Sequence, residues 1–200
     1  MLTKIAYETL LEKYGKVASF TIWSAANTRK VTSNIDDLSI FDDPSVTNKL
    51  NADYIFVALN GAGHPSAMAD CEKPDWNNFH SGYAYSKDYK LRYAIAGTKY
   101  EGSYITDLIK YYPEVHSEKV RKVLKNNPQL VEENMRRLEE ELRILEASNN
   151  GRKPTIIALG TLAYNYLSRQ FTPFGYTIKK ATHYSAYISA ANYKNHIASL

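Results

Sequence analysis

The chain has little cysteine, no long apolar run and no strong excess of charge, and each of these excludes a class of protein. Its single cysteine, Cys71, excludes an intramolecular disulfide framework, so folding needs no oxidising compartment. No stretch approaches the roughly 20 apolar residues that a membrane-spanning helix requires. The first fifteen residues carry Glu8 and Glu12 and lack the apolar core of a secretory signal. We therefore expect a cytoplasmic protein with no membrane partner.

Several catalytic signatures are also missing from the sequence. There is no GxxxxGK[ST] phosphate loop, no GxGxxG and no GxSxG nucleophile elbow. His64, Cys71 and His80 are potential metal ligands, but their spacing matches no zinc motif. Cys71 lies in an acidic loop, with no helix N-terminus evident to lower the pKa of its thiol. We therefore expect no metal, no cofactor and no cysteine nucleophile.

Length and composition fit one soluble domain spanning residues 1–200. The 200 residues are 44% hydrophobic and 23% charged, which is ordinary for a globular protein able to bury a sizeable core. The formal net charge of +4 suits a polyanionic partner but is mild for a DNA-binding domain. The 17 tyrosines can stack on bases or pack in a core, so composition leaves both readings open.

The segment DYIFVALNGAGHP, residues 53–65, indicates where a ligand would bind. Its apolar run at 54–59 is too short for a helix and is typical of a strand buried on both faces of a parallel sheet. Asn60 and a loop with two glycines and a proline follow it. Because ligands of open α/β sheets bind beyond the carboxyl ends of the strands, Asn60 is a candidate active-site residue. The alternative is that Asn60 only caps a turn.

Strand and helix patterns alternate along the chain. Short β-branched and aromatic runs predict four strands, at residues 54–59, 104–108, 154–159 and 176–181. Residues 17–23 are also strand-like, but alanine, serine and threonine dilute the pattern. Amphipathic spacing and capping residues, including Ser117 as an N-cap, predict helices at 3–14, 89–96, 117–125, 128–148, 161–169 and 189–200. This alternation predicts a three-layer α/β/α sandwich around a central, mainly parallel four-stranded sheet.

The long helix predicted from residue 128 has one apolar and one charged side. Pro128 stands in its first turn, and its apolar residues recur at spacings of four and three. On the other side, three glutamates each precede an arginine by four residues, a spacing typical of surface ion pairs worth about 0.2–0.5 kcal/mol each. These predicted pairs are Glu132–Arg136, Glu133–Arg137 and Glu139–Arg143.

Polar residues end three of the predicted strands. They are Asn60, Asp107 and the segment from His183 to Ser185. Because the carboxyl ends of parallel strands meet at one edge of a sheet, we expect these residues to converge there and to form the active site.

The same segments carry a resemblance to the uracil-DNA glycosylase superfamily. ALNGAGHP at 58–65 resembles the first motif of that superfamily, and WNNF at 76–79 is similar to its downstream N-x-F segment. YITDLIK at 104–110 is similar to the ITNVVK strand end of one branch, and PTIIALG at 154–160 matches the usual third strand. HYSA at 183–186 resembles the final H-P-S-P/A motif. The motifs occur in family order, and the family's four-stranded parallel sheet between helices agrees with the periodicity.

The resemblance implies an enzyme that turns one nucleotide out of DNA and hydrolyses its N-glycosidic bond without metal or cofactor. Asn60 would position the hydrolytic water, and His183 would stabilise the negative charge that develops on the departing base. The residues expected to contact DNA are His64, Lys110, Ser185 and Tyr187, of which Tyr187 stands where a wedge residue fills the vacated stack.

The base pocket implied by the resemblance contains Gly61, a stacking ring from Phe79 or Trp76, and Asp107 at the Watson–Crick edge. An ionised carboxylate only accepts hydrogen bonds, so Asp107 suits a base edge that presents donors, unless burial keeps it protonated for uracil. The cysteines that bind the iron–sulfur cluster of the ITN branch are missing, which excludes that cluster.

Two other functions stay open at this point. One is a non-catalytic protein that binds nucleic acid or a modified base on the same scaffold. The other is a structural or partner-binding domain. Base excision that is lost in Asn60→Ala and in His183→Ala would distinguish the enzyme from both.

Overall fold

The computed structural model describes residues 1–24, 30–61 and 73–200. These residues form an α/β sandwich around a five-stranded mixed sheet in the order β1-β3-β2-β4-β5. The strands are β1 (Ala18–Phe20), β2 (Asn51–Asn60), β3 (Ser103–Ile109), β4 (Thr155–Leu159) and β5 (Ile178–Ala181).

The prediction of four strands is incomplete, because β1 adds a fifth. β2 pairs in parallel with β3 and β4, and β5 pairs in parallel with β4, whereas β1 is antiparallel to β3. The polar residues that weaken the strand pattern of β1 are buried and bonded. Ser19 Oγ donates to the Trp76 carbonyl at 2.8 Å, and just past the strand Thr21 Oγ1 donates to the Tyr100 carbonyl at 2.7 Å. Buried hydroxyls with partners are compatible with a core strand.

Six α-helices and three short 3-10 helices lie in the described ranges, and side chains cap the N-termini of three of the α-helices. Thr3 accepts from the Ala6 N–H, and Asn127 and Ser189 cap the fourth and sixth helices in the same way. Ser117 is the first residue of its helix rather than its cap. None of these helices has the length and apolar character needed to cross a bilayer. The helices are α1 (Lys4–Tyr14), α2 (Asp88–Ile95), α3 (Ser117–Asn126), α4 (Pro128–Ser148), α5 (Thr161–Phe171) and α6 (Ala190–Ala198).

The sheet separates two hydrophobic cores, which we name the α4 core and the α6 core. Ile55 and Val57 of β2 face the α4 core, with α1, α3, α4 and α5. Phe56 and Ala58 face the α6 core, with α2 and α6. Because successive side chains of a strand point to opposite faces, both faces of β2 are apolar, as its continuous apolar run predicts.

The polar side of α4 departs from the predicted pairing. Arg143 lies 2.8 Å from Glu139, as predicted. Arg136 and Arg137 form no ion pair with the glutamates four residues before them, and the Arg137 guanidinium instead lies 5.6 Å from the centre of the Tyr111 ring. An exposed ion pair is worth so little that an aromatic partner can replace it.

Candidate active site

The carboxyl ends of β3, β2, β4 and β5 lie side by side at one edge of the sheet. Gly61, just after β2, lies against Asp107 of β3, since a Cβ built on the glycine would be 3.7 Å from Asp107 Oδ2. Gly160, just after β4, lies against His183, since a Cβ built there would be 3.9 Å from His183 Cβ. The predicted polar residues therefore occupy neighbouring strand ends.

Asn60 is the last residue of β2, and three backbone carbonyls hold its side-chain amide. Nδ2 donates to the carbonyls of Gly61, Tyr112 and Glu114 at 2.9, 3.1 and 2.8 Å. These bonds tie the end of β2 to the segment that follows β3. They also fix the orientation of the amide, so Oδ1 is the atom that Asn60 can offer to a water or a substrate as an acceptor.

Asp107 is buried beside Asn78 on the α6 side of the sheet. Thr106 bonds to α4, so the alternation of β3 turns Asp107 toward the α6 core. Asn78 Nδ2 donates to Asp107 Oδ2 at 3.0 Å and to the Val17 carbonyl at 2.7 Å. The WNNF segment is thereby attached to the carboxylate that was expected to read a base.

Tyr184 and Asp88 extend this polar cluster. The Tyr184 hydroxyl donates to the Asp88 carboxylate, and the Ser81 N–H donates to Asp88 Oδ2 at 3.1 Å. Burial raises the pKa of Asp88, and hydrogen bonds from Ser81, Ser86 and Tyr184 oppose the rise. Burial, followed by the negative charges of Asp88 and Asp107, raises the pKa of Tyr184 well above its ordinary value. Tyr184 is therefore a neutral hydrogen-bond donor between two acidic residues.

His183 is a neutral imidazole with a defined tautomer. Its Nδ1 accepts the Ser185 N–H at 3.2 Å and lies 2.8 Å from Ser185 Oγ. An Nδ1 that accepts an N–H cannot carry a proton, so the proton is on Nε2. Burial lowers the pKa of His183 to about 4. The ring stacks on Tyr184 with centroids 4.3 Å apart. Nε2–H is thus held in a fixed direction at neutral pH.

The two rings predicted to stack on a base lie in different cores. Phe79 belongs to the α6 core, as does Ile105, which lies two residues before Asp107 on the same face of β3. Trp76 belongs to the α4 core, where its indole Nε1 donates to the Tyr7 hydroxyl at 3.0 Å and its ring contacts Phe20. The sheet therefore separates Trp76 from the polar cluster, and of the two rings only Phe79 lies on the same side as Asp107.

Four residues were predicted to contact DNA, and the prediction is wrong for Lys110. Its side chain is fully buried, and Nζ lies 2.8 Å from Glu141 Oε2 and donates to the Asp107 carbonyl at 2.8 Å. Ser185 and Tyr187 are exposed on the loop after β5. His64 and Cys71 lie outside the described residues.

His80, one of the three potential metal ligands, packs inside the described part of the fold. It is completely buried, its Nε2 lies 3.2 Å from the Phe20 carbonyl, and its ring packs against Trp23. Burial lowers its pKa to about 4. Within residues 1–24, 30–61 and 73–200, no group of three or more metal-ligating side chains occurs.

Three members of the cluster were missed by sequence reasoning as site residues: Asn78, Asp88 and Tyr184. Asn78 stands inside the WNNF segment and Tyr184 inside HYSA, so the motifs point to their neighbourhood. Asp88 gives no signal, because an aspartate in the first turn of a helix usually faces solvent. Comparisons with protein-family models, with curated proteins and with solved structures found no match to this chain. A functional assignment therefore depends on the chemistry of this site.

Proposed function

We propose that the protein is a DNA glycosylase resembling the uracil-DNA glycosylase superfamily, which hydrolyses the N-glycosidic bond of a base turned out of DNA. The observation that carries the proposal is the neutral His183 at the sheet edge, with its proton on Nε2. It stands on neighbouring strand ends with Asn60 and Asp107, the other residues that the chemistry requires.

The geometry of His183 suits stabilisation of a departing base. When a glycosidic bond breaks, negative charge develops on the base, and a fixed N–H donor favours that charge without any prior proton transfer. A pKa of about 4 keeps the imidazole neutral through the physiological range, so it acts as a hydrogen-bond donor and not as an acid. Removal of one such donor commonly costs about 10²–10³ in kcat.

The other residues take complementary roles. Asn60 Oδ1 accepts a hydrogen bond from the attacking water, while Nδ2 stays on its three carbonyls. Asp107, held by Asn78, reads the edge of the extruded base. An ionised Asp107 accepts from an exocyclic amino group, so a modified base that presents donors is the better substrate, whereas a protonated Asp107 serves uracil.

The test is base release from labelled oligonucleotides that each contain one uracil or one modified base, single-stranded and in duplex. Abasic sites are revealed by alkaline cleavage. We expect release by the wild type, a loss of about 10²-fold or more in His183→Ala, and a large loss in Asn60→Ala. His116→Ala, which removes an exposed histidine side chain just before α3, is the matched control and keeps full activity.

The pH profile provides a second readout. Since His183 stays neutral above about pH 4, we expect activity to show no loss near pH 6.5, where an ordinary histidine titrates. Activity that disappears below pH 6.5, or an active His183→Ala enzyme, would show that this residue does not stabilise the leaving base.

A second candidate, a non-catalytic protein that binds a base in nucleic acid, is favoured by the bonding of Asn60. All three hydrogen bonds of its Nδ2 go to backbone carbonyls, which is also what a purely structural asparagine would do. Tight binding of an oligonucleotide with no release of any base would support this candidate over the enzyme.

A further inference from the structure

A cavity lies on the α4 side of the molecule, on the other face of the sheet from the His183 cluster. Its volume is about 290 Å³, and it is lined by Lys13, Tyr14, Tyr111, Arg137 and Glu140. That volume is near the lower end for small-molecule sites, enough for one anionic group and part of the unit that carries it.

The charges around this cavity leave it positive. Among the described residues, Glu140 is the only acidic residue that lines it, and it accepts from both Lys13 and the Tyr14 hydroxyl, the latter at 2.7 Å. Those two hydrogen bonds lower the pKa of Glu140, so it stays ionised and balanced by Lys13. Within the described ranges of the chain, no carboxylate lies at ion-pair distance from the Arg137 guanidinium. The lining therefore presents one uncompensated positive charge.

Tyr111 and Arg137 are held in unusual arrangements. Tyr111 has φ of +60°, a left-handed conformation that costs a non-glycine residue free energy, yet the residue is 54% exposed. Arg137 has the sequence spacing to pair with Glu133, but its guanidinium lies over that ring at 5.6 Å. A planar guanidinium stacked on an aromatic ring keeps its N–H groups free to fork onto an anion.

The cavity is connected to the proposed active site through the chain after β3. Tyr111 follows Lys110, whose N–H donates to Asn134 Oδ1 at 2.9 Å. The residue after Tyr111 is Tyr112, and its carbonyl accepts a hydrogen bond from Asn60 Nδ2 at 3.1 Å. The segment that presents the Tyr111 ring is thus the segment that Asn60 holds.

We infer that this cavity binds a phosphate group, with Arg137 as its main ligand and the Tyr111 ring as the support of the guanidinium. The planar fork of arginine matches two phosphate oxygens, and the positive lining excludes cations. The phosphate belongs either to the backbone of a nucleic acid strand or to a free nucleotide. Binding of a phosphate in a nucleic acid strand rests on the proposed function, whereas binding of a free nucleotide does not.

Arg137→Gln tests this inference, and Arg136→Gln is its matched control. The control removes the same charge one residue earlier, from an exposed position outside the cavity. The probes are a fluorescein-labelled single-stranded oligonucleotide, titrated between about 50 and 200 mM NaCl, and a deoxynucleoside monophosphate followed by NMR. For a backbone phosphate, we expect Arg137→Gln to weaken oligonucleotide binding about tenfold and to reduce the salt slope by about 0.7, with a clearly smaller change in Arg136→Gln.

If the ligand is a free nucleotide, we expect Arg137→Gln to weaken binding of the deoxynucleoside monophosphate. The salt slope of oligonucleotide binding should then be the same as in Arg136→Gln. Equal effects of the two substitutions on both probes would overturn the inference.

Tyr111→Gly separates binding from folding, because glycine adopts the left-handed conformation without strain. We expect its Tm to be no lower than that of the wild type and its phosphate binding to be weaker. Base release is measured in a separate assay. If the protein releases no base but Arg137→Gln still reduces the salt slope more than Arg136→Gln does, the phosphate site is supported and only the proposed glycosylase activity is rejected.

Discussion

β3 carries a buried polar cluster on each of its two faces, and the clusters differ in how their charge is balanced. Toward α4, Lys110 and Glu141 form an ion pair at 2.8 Å with both side chains fully buried. The Tyr104 and Thr106 hydroxyls donate to the other oxygen of Glu141 at 2.8 and 2.9 Å. Opposite charges, together with the two hydroxyl donors on one oxygen of Glu141, make this cluster a closed unit.

Toward α6, two acidic residues lie close to one tyrosine and a neutral histidine. Tyr184 donates to Asp88, and the negative charge of Asp107 also acts on it. In the part of the chain that the structure describes, no basic group lies at ion-pair distance from Asp88, and burial raises its pKa. His183 stacks on the same tyrosine.

The difference indicates which face supports structure and which supports chemistry. A buried ion pair fixes the position of a strand, and its two opposite charges balance each other. Like charges, burial and a neutral imidazole shift pKa values, which is what an active site requires. The comparison therefore supports the α6 side of β3 as the location of the proposed active site.

The largest predicted effect is on the closed cluster. Lys110→Met leaves Glu141 buried without its partner, and we expect the free energy of unfolding to fall by about 3–5 kcal/mol in urea denaturation. The double variant Lys110→Met, Glu141→Leu removes both charges and should recover most of that loss. A single variant that costs less than about 1 kcal/mol would mean that water reaches Glu141 and that the cluster is not closed.

Sensitivity to acid should come from the α6 side. His80 packs against Trp23 of the α6 core, and its pKa is lowered to about 4, below the value of about 6.5 of an unfolded chain. Between these values the unfolded state binds a proton and the folded state does not, so stability is lost as pH falls from about 6.5 to 4. For His80 the loss reaches about 3 kcal/mol.

His80→Gln checks this prediction. Glutamine keeps an N–H for the Phe20 carbonyl but does not titrate in this range. Denaturant unfolding followed from about pH 7 to about pH 4 should give a shallower fall for the variant than for the wild type. Parallel curves for the wild type and the variant would mean that groups other than His80 cause the acid sensitivity.

A matched pair of tyrosines compares the clusters directly. Tyr104→Phe removes a buried hydroxyl bonded to Glu141, and we expect a loss of about 1.5–3 kcal/mol with unchanged base release. Tyr184→Phe removes a donor from Asp88, which keeps the Ser81 N–H and can take up a proton, so we expect only about 0.5–1.5 kcal/mol. Thermal unfolding and base release are measured on both. Equal losses of stability would remove the distinction between the faces.

The smallest effect is expected outside both clusters. Glu139 and Arg143 form an exposed pair on α4, with side chains 43% and 72% accessible. Glu139→Ala should change the free energy of unfolding by about 0.3–0.5 kcal/mol or less. This variant serves as the reference, because it removes one charge from α4, the helix that also carries Glu141. A loss above about 1 kcal/mol would show that α4 responds to charge removal in general.

Local patterns predicted much of the fold. The strands at 54–59, 104–108 and 154–159 depend on side chains close together in sequence, and all are present. β1 was left out because its burial depends on partners more than fifty residues away, such as the Trp76 carbonyl bonded to Ser19. Asn60, Asp107 and His183 reach neighbouring strand ends because parallel pairing aligns the carboxyl ends of the strands.

The amino-acid sequence by itself determined the alternation of strands and helices and the edge at which polar residues gather, since both follow from periodicity and the direction of parallel strands. Only the tertiary structure decided that Lys110 is buried against Glu141, that Trp76 and Phe79 lie on opposite faces, and that Arg137 turns to Tyr111. These choices depend on which side chains meet across the sheet and between distant segments. No local spacing contains that information.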